Sequence, residues 1–175
     1  MPPESIRLLP HTPEHLRALL EGPEVYERRF GIKVANGLRD FLIGPEVSPE
    51  FLARLRGPAI ADPWKDGFGV LHLANNLVIG FCSFTGPPDT DGMVEIAYGI
   101  VSGYEGRGHA SEAARALIAH AVASGQVKTL RAHTLPERNA STRVLEKFGF
   151  SFSGEIVHPT DGPVWRWERR LQLVS

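Results

Sequence analysis

The amino-acid sequence predicts an α/β fold in which helices flank a mixed, mostly antiparallel central sheet. The first observation is a hairpin pattern over 67–84, where two apolar runs are joined by Ala74-Asn75-Asn76. The second is a helix pattern over 108–124 that separates two strand-like runs, as a crossover connection does. The third is a pair of strand-like runs, FSFSGEIVH and VWRWERRLQL, which closes the chain around a DGP turn.

The N-terminal elements are a short strand at 5–9 and a helix that begins just after it. Thr12 is predicted to cap this helix, with Pro13 at its first position. His11 and His15 are four residues apart. A cap at Thr12 leaves His11 outside the helix, so the two rings need not share a face. No metal ion is predicted, there or elsewhere.

Residues 21–66 form the least regular part of the sequence. Glycines and prolines at 22, 23, 44, 45, 57, 58 and 63 interrupt short helical pieces such as YERRFGIKVANGLRDFL and PEFLARL. We interpret this stretch as a variable segment inside one domain, because 175 residues suit a single core. A domain spanning 1–175 is therefore predicted.

The second half of the chain is predicted to contain a strand at 93–101, the helix at 108–124 and a strand TLRAHT. Apolar residues of the helix at 108–124 recur on one face, and Gly125 is expected to end it. These residues are Ala110, Ala113, Ala114, Leu117, Ile118, Ala121 and Val122. A second helix is predicted from Asn139, its cap, to Phe148, with Gly149 ending it.

Composition excludes several classes of function. The formal net charge is −1 and the pI about 6.7, so no global positive field attracts nucleic acid. Cys82 is the single cysteine, which excludes an internal disulfide and any multi-cysteine metal site. Because the sequence has neither a basic-then-apolar leader nor an apolar run of membrane length, we expect a cytoplasmic protein with no membrane partner.

The stretch SGYEGRGHASEA, at 102–113, places three glycines directly before a helix. The first N–H groups of a helix have no internal partners, and the positive end of the helix dipole lies behind them. Glycine lets an anionic group approach the backbone without a Cβ in the way. The amides of Gly106, Arg107, Gly108, His109, Ala110 and Ser111 can thus donate in turn, with charge added by Arg107.

Other interpretations of this loop fit less well. A P-loop requires lysine followed by Ser or Thr after the last glycine, and the loop has neither. A dinucleotide fingerprint requires a third glycine where Ser111 stands, and only Glu137 is available as its later acidic residue. A glycine turn before a helix is also often no more than a loop.

Two stretches in order resemble a known family. VEIAYGIVSGYEGRGHASEAARALIAHA is similar to motif A of the GNAT family of N-acetyltransferases, whose loop reads roughly Q/R-x-x-G-x-G/A after a strand. LPERNASTRVLEKFGF resembles the family's second signature, N-x-x-S-x-x-V-L-x-K-x-G-F, as found in the branch of ribosomal-protein alanine acetyltransferases (RimJ/RimL-like). The resemblance covers most of 67–171 and implies a GNAT-like acyl-CoA N-acyltransferase fold.

The resemblance implies acetyl-CoA as cosubstrate. Its pyrophosphate would lie on the amides from Gly106 to Ser111, and its pantetheine arm would pair with backbone near Ile100 and Val101. Asn139 would reach the cofactor from the second helix. The variable segment 21–66 would lie on the acceptor side.

Acetyl transfer to an amine requires a base, a stabilised oxyanion and a proton for the leaving thiolate. Glu95 is the predicted base, because strand alternation places it beside the small residues Ala97 and Gly99. Many members of the family carry a general-acid tyrosine where this chain has Leu145. The resemblance assigns the leaving-group contact to Ser141 instead. A solvated glutamate and a helix-start serine are the structural alternatives.

The predicted activity is acetyl transfer to a primary amine, either a peptide N-terminus or a small molecule. An antibiotic or polyamine acceptor is an alternative that would require acidic groups in the acceptor cleft. A non-catalytic acyl-CoA-binding module is a third, compatible with the missing tyrosine. The protein is expected to be a monomer or a homodimer.

Overall fold

The computed structural model describes residues 5–43, 49–57, 60–159 and 161–171. These residues fall into two compact units, one of Met1–Ser83 with Tyr98–Ala113 and one of Phe84–Ala97 with Ala114–Ser175. The strands are β1 Ile6–Pro10, β2 Lys33–Val34, β3 Phe68–His72, β4 Leu77–Phe84, β5 Met93–Ile100, β6 Thr129–Thr134, β7 Ser151–His158 and β8 Gly162–Arg170. The helices are α1 Pro13–Glu21, α2 Pro23–Phe30, α3 Leu38–Ile43, α4 Pro49–Leu55, α5 His109–Ser124 and α6 Ala140–Lys147.

The first unit contains the predicted hairpin. β3 pairs antiparallel with both β1 and β4, and the short β2 pairs parallel with β4. Gly80 of β4 lies against the C-terminal end of β5: a Cβ built on it would be 2.4 Å from the carbonyl oxygen of Gly99. Only glycine permits this approach, since real Cβ contacts are longer.

The second unit contains a sheet in the order β5-β6-β8-β7. β5 and β6 are parallel and are connected by α5, whereas β8 pairs antiparallel with β6 and β7. Parallel neighbours need such a crossover, which explains the single long helix between them. The predicted mixed α/β class with mostly antiparallel pairing is confirmed. The prediction of one domain over 1–175 stays a prediction.

The predicted caps are present. The Thr12 hydroxyl accepts from the His15 amide at 3.3 Å, and Asn139 Oδ1 accepts from the Thr142 amide at 3.0 Å. Gly125 ends α5 with a φ of +69°. One helix prediction was wrong, because the piece YERRFGIKVANGLRDFL is broken by Gly31, at φ +69°, and by strand β2.

The buried face of α5 is close to the predicted one. Ala113, Leu117 and Ala121 are fully buried in the structure. Val122 was predicted on this face but is 51% exposed. At 100° per residue it lies farthest from the centre of the apolar stripe. Within the described ranges, none of the helices has both the length and the apolar character needed to cross a bilayer.

Candidate active site

The glycine loop joins the end of β5 to the start of α5 in the first unit. A 3₁₀ turn at Ser102–Tyr104 follows the strand, and α5 begins at His109. Gly106 and Gly108 adopt φ values of +76° and +83°, which L-residues rarely populate. Apart from the adjoining residues, no atom of the described part of the chain lies within 4 Å of a Cβ built on either glycine. The loop therefore needs glycine for its backbone conformation, and the space above it is open.

Six consecutive backbone amides of this loop have no hydrogen-bond acceptor among the residues that the structure describes. The first helical hydrogen bond of α5 runs from the Glu112 amide to the Gly108 carbonyl at 3.1 Å. Among the described residues, no hydrogen bond starts from the amides of residues 106–111. Positions 105–108 are exposed to solvent. Amides that lack a partner at a helix N-terminus can bind an anion, and the residues present fit a phosphate group.

Arg107 supplies a positive charge at the same place. Its guanidinium lies over the ring of Tyr104, 5.2 Å from the centroid. The Tyr104 hydroxyl in turn accepts a hydrogen bond from Asn75 Nδ2 at 3.1 Å, so the turn between β3 and β4 holds the ring. This cation–π contact positions an otherwise exposed arginine beside the unpaired amides.

The ring of His109 points into the first unit, although its amide belongs to the unpaired group. Ser5 Oγ donates its hydrogen to Glu112 Oε1 at 2.6 Å, so it accepts from His109 Nδ1 at 3.2 Å. Burial lowers the pKa of His109, and the neighbouring His72 lowers it further. The ring is therefore a neutral, packed group, and the role of the His109 amide in binding stays a prediction.

Ile100 and Val101 are both buried at the end of β5. The Val101 amide donates to the Ile79 carbonyl at 2.9 Å, and the Val101 carbonyl accepts from the Tyr104 amide at 2.9 Å. Both main-chain groups of Val101 thus have protein partners. A pantetheine arm pairing here would have to use the second lone pair of that carbonyl or the backbone of Ile100.

Glu95 lies in the second unit, on the face of β5 opposite to the buried Val94 and Ile96. Its Oε1 is 2.5 Å from Nδ1 of His133 on the neighbouring strand β6. The side chains are 25% and 15% exposed, respectively, so solvent reaches both. Nε2 of His133 accepts a hydrogen bond from Nε of Arg166 at 3.1 Å. This contact between Glu95 and His133 was not predicted from the sequence.

The start of α6 carries the other two predicted residues of the second unit. Asn139 Oδ1 is used in capping, which leaves its Nδ2 hydrogens for another partner. Ser141 is the second residue of the helix and is partly exposed. Leu145 is 1% exposed and packs in the core, so a phenol is not available from that position.

The predicted residues thus form two groups. Residues 100–111 lie together in the first unit, and Glu95, Asn139 and Ser141 belong to the second. The residues that sequence reasoning missed are His133, Arg166 and Tyr104. A signal for the first two was available, since both lie on the same alternating face of a strand pair as charged neighbours.

His11 and His15 come closer than the sequence suggested. Their rings stack with centroids 5.3 Å apart. His11 Nε2 is 2.9 Å from the hydroxyl of Tyr26. Burial, together with the nearby His15, lowers the pKa of His11 to about 3. The pair forms part of an aromatic cluster with Tyr26, Phe30 and Phe81. No cluster of three or more potential metal ligands occurs in the described part of the chain.

Comparison with known proteins identifies the class. Residues 6–151 match the family model described as acetyltransferase (GNAT) domain. The chain therefore belongs to the GNAT family of acetyltransferases, and the resemblance noted in its two signatures is confirmed. It is 30% identical over 111 residues to the uncharacterized N-acetyltransferase YjdG of Bacillus subtilis (strain 168). That alignment covers 63% of this chain and 64% of YjdG, so the chain spans less than two thirds of this curated relative.

Solved structures show the same fold. One is a ribosomal-protein-S5-alanine acetyltransferase from Vibrio fischeri, with 16% identity, a TM-score of 0.67 and coverage of 97% of this chain and 95% of that one. Another is RimL, a ribosomal L7/L12 alpha-N-protein acetyltransferase in complex with coenzyme A. Its identity is 16%, its TM-score 0.65 and its coverage 97% of this chain and 96% of that one. At these identities the likeness is one of fold.

Proposed function

We propose that this protein is an N-acetyltransferase that moves an acetyl group from acetyl-CoA to a primary amine. The observation that carries the proposal is the run of six unpaired amides at 106–111, on a loop that glycines keep open. Because the chain is nearly neutral overall, a polyanionic cofactor has to be bound by a local group of donors such as these amides. Membership of the GNAT family supports the same assignment.

The cofactor would be held mainly by backbone. The amides of residues 106–111 and the guanidinium of Arg107 would bind its pyrophosphate, and Asn139 Nδ2 would add a further donor. The main chain of Ile100 and Val101 would accompany the pantetheine arm. When bound, acetyl-CoA supplies an activated thioester carbonyl. No metal ion is required for the reaction.

Glu95 acts as the base in this proposal. An amine reaches the enzyme as an ammonium ion at neutral pH and must lose a proton before it attacks a carbonyl. The Glu95 carboxylate accepts that proton at one of its oxygens, directly or through a water molecule. Its partly exposed side chain permits either route.

The leaving thiolate cannot rely on a general-acid tyrosine, because the buried Leu145 stands where many members of the family carry that residue. Ser141 at the N-terminal turn of α6 is proposed for this contact, where the helix dipole favours developing negative charge. Its hydroxyl would donate a hydrogen bond to the leaving sulfur, and the second proton that the amine nitrogen loses on becoming an amide would neutralise the thiolate.

For the acceptor we propose a peptide N-terminus or a small amine, encountered in the cytoplasm. The fold shared with RimL, whose name assigns it a ribosomal protein N-terminus, supports the peptide. An antibiotic or polyamine acceptor is the second candidate, and it would require carboxylates contributed by the segment 21–66. A non-catalytic acyl-CoA-binding module is the third candidate. It would bind the cofactor on the same backbone amides without catalysing acetyl transfer. A monomer or homodimer is proposed for the assembly.

Two measurements test the proposal in sequence. Acetyl-CoA and CoA should each raise the melting temperature of the purified protein, since a ligand that binds only the folded state stabilises it. Release of free thiol from acetyl-CoA is then followed across a panel of N-terminal peptides, polyamines and aminoglycosides. Absence of any thermal shift would contradict cofactor binding. A shift without thiol release on any amine would identify a binding module instead.

A further inference from the structure

The face of the second unit's sheet that carries Glu95 also carries His133 and Arg166, to which no role has been assigned. In the register of β5 with β6, Glu95 lies opposite Arg131. His133 is two residues further along β6, so its side chain is on the same face of the sheet. His133 is opposite Arg166 in the β6–β8 register. A line of side chains therefore crosses three strands, from the carboxylate through the imidazole to the guanidinium.

Arg166 determines which nitrogen of His133 carries the hydrogen. A guanidinium can only donate, so Nε2 of the imidazole must accept the hydrogen bond from Arg166 Nε at 3.1 Å. The neutral ring then has its hydrogen on Nδ1, the nitrogen that lies 2.5 Å from Glu95 Oε1. A second proton on the ring would place an N–H group against the arginine N–H. His133 thus presents a donor to Glu95 and has no free lone pair with which to act as a base.

The contact between Glu95 and His133 is close, but it is not aligned as a hydrogen bond. Nδ1 has no hydrogen bond of acceptable angle in the structure. The terminal torsion of a glutamate is broad, so rotation of the carboxylate can bring Oε1 onto the N–H axis. That rotation would fix one oxygen on His133 and leave the other for the proton of the amine.

The remaining charged groups around His133 are already paired. Arg131 forms an ion pair with Glu168 at 3.1 Å, and Ser153 of β7 donates to the same carboxylate at 3.1 Å. The ring of His158 is 5.9 Å from that of His133 and has Asp161 as its own partner at 3.4 Å.

We propose that His133 is a positioning residue for Glu95, held in its Nδ1–H form by Arg166. This inference rests on the proposed function, because it presumes that Glu95 takes the proton of the amine. It adds that the base is oriented by a neutral imidazole from the neighbouring strand, and that Arg166 acts one step further from the reaction.

The kinetic test compares three substitutions with wild type. His133→Leu should lower kcat by about tenfold, a part of the 10²–10⁴ that a general base contributes, and should leave KM for acetyl-CoA unchanged. His133→Asn, whose Nδ2–H can replace the imidazole donor, should recover most of the rate. In a Glu95→Gln background, the substitution His133→Leu should cause no further loss of kcat. His120→Leu, on α5, controls for the loss of a histidine.

A second measurement is independent of turnover. Nitrogen-15 NMR of the histidine side chains should show His133 as the Nδ1–H tautomer, and Arg166→Leu should remove that preference. An Nε2–H tautomer in the wild type would overturn the proposal even if the protein acetylates amines. Equal loss of rate from His133→Leu with and without Glu95→Gln would also overturn it. If no amine is acetylated, the proposed function fails and the tautomer alone decides the role of His133.

Discussion

Ser5 binds the carboxylate of Glu112 through two hydrogen bonds. Its hydroxyl donates to Oε1 at 2.6 Å and its amide donates to Oε2 at 3.2 Å. Glu112 is in the first turn of α5, the helix whose N-terminal amides form the proposed pyrophosphate site. The residue before β1 is thus fastened to that site, across 107 residues of sequence.

Removing this carboxylate should destabilise the first unit. Glu112→Ala leaves the Ser5 hydroxyl and amide without their acceptor, and hydrogen bonds to charged groups contribute about 1.5–3 kcal/mol. We expect the free energy of unfolding to fall by about 2 kcal/mol in urea titration. Glu137→Ala, at an exposed position, should stay within about 0.5 kcal/mol of wild type. An equal effect of the two substitutions would show that the Ser5 contact contributes nothing.

Gly108→Ala tests the backbone of the proposed cradle. An alanine at φ +83° costs about 1–2 kcal/mol, although no atom lies near the new Cβ. The methyl group would also occupy the open space that the cofactor should fill, so the thermal shift produced by acetyl-CoA should shrink. Gly103→Ala is the matched control, since that glycine also faces open space but does not adopt a positive φ. A full acetyl-CoA shift in Gly108→Ala would place the pyrophosphate elsewhere.

Glu95→Gln tests the base. The amide cannot accept the proton, so kcat at pH 7 should fall by about 10²–10³. The thermal shift produced by acetyl-CoA should remain, because Glu95 is not proposed to contact the cofactor. The deficit should diminish as the pH rises past the amine's own pKa, about 8 for a peptide N-terminus. Unchanged turnover at every pH would rule out Glu95 as base, and Glu137→Gln serves as the control substitution.

Acid should destabilise the protein through His11. Its pKa is lowered from 6.5 to about 3 in the folded state, so below pH 6.5 the unfolded chain binds a proton that the folded chain does not. The free energy of unfolding therefore falls as pH decreases over that window, by up to about 1.4 kcal/mol per pH unit from this residue. His11→Gln keeps a polar partner for Tyr26 and should flatten the dependence, as measured by urea titration at several pH values. The same slope in His11→Gln and in wild type would contradict this account, and His120→Gln is the control.

Local chemistry determined much of the fold in advance. Caps at Thr12 and Asn139, glycine stops and strand alternation depend on residues a few positions apart, and each was predictable for that reason. The prediction failed where local signals conflicted: around Gly31 a helix-like composition contains a residue that the structure holds at φ +69°. The glycine loop could be proposed from the sequence as a candidate anion site because its donors are backbone groups of adjacent residues.

The sequence by itself therefore determined the family, the elements and the backbone cradle of this protein. Only the tertiary structure decided which distant side chains meet: Ser5 with Glu112, His11 with Tyr26, and His133 with both Glu95 and Arg166. The contacts of His133 depend on strand register, and a shift of one residue in the pairing would turn its side chain to the other face of the sheet. The tautomer of His133 follows from such a meeting, because a hydrogen-bond partner two strands from Glu95 decides where the ring carries its hydrogen.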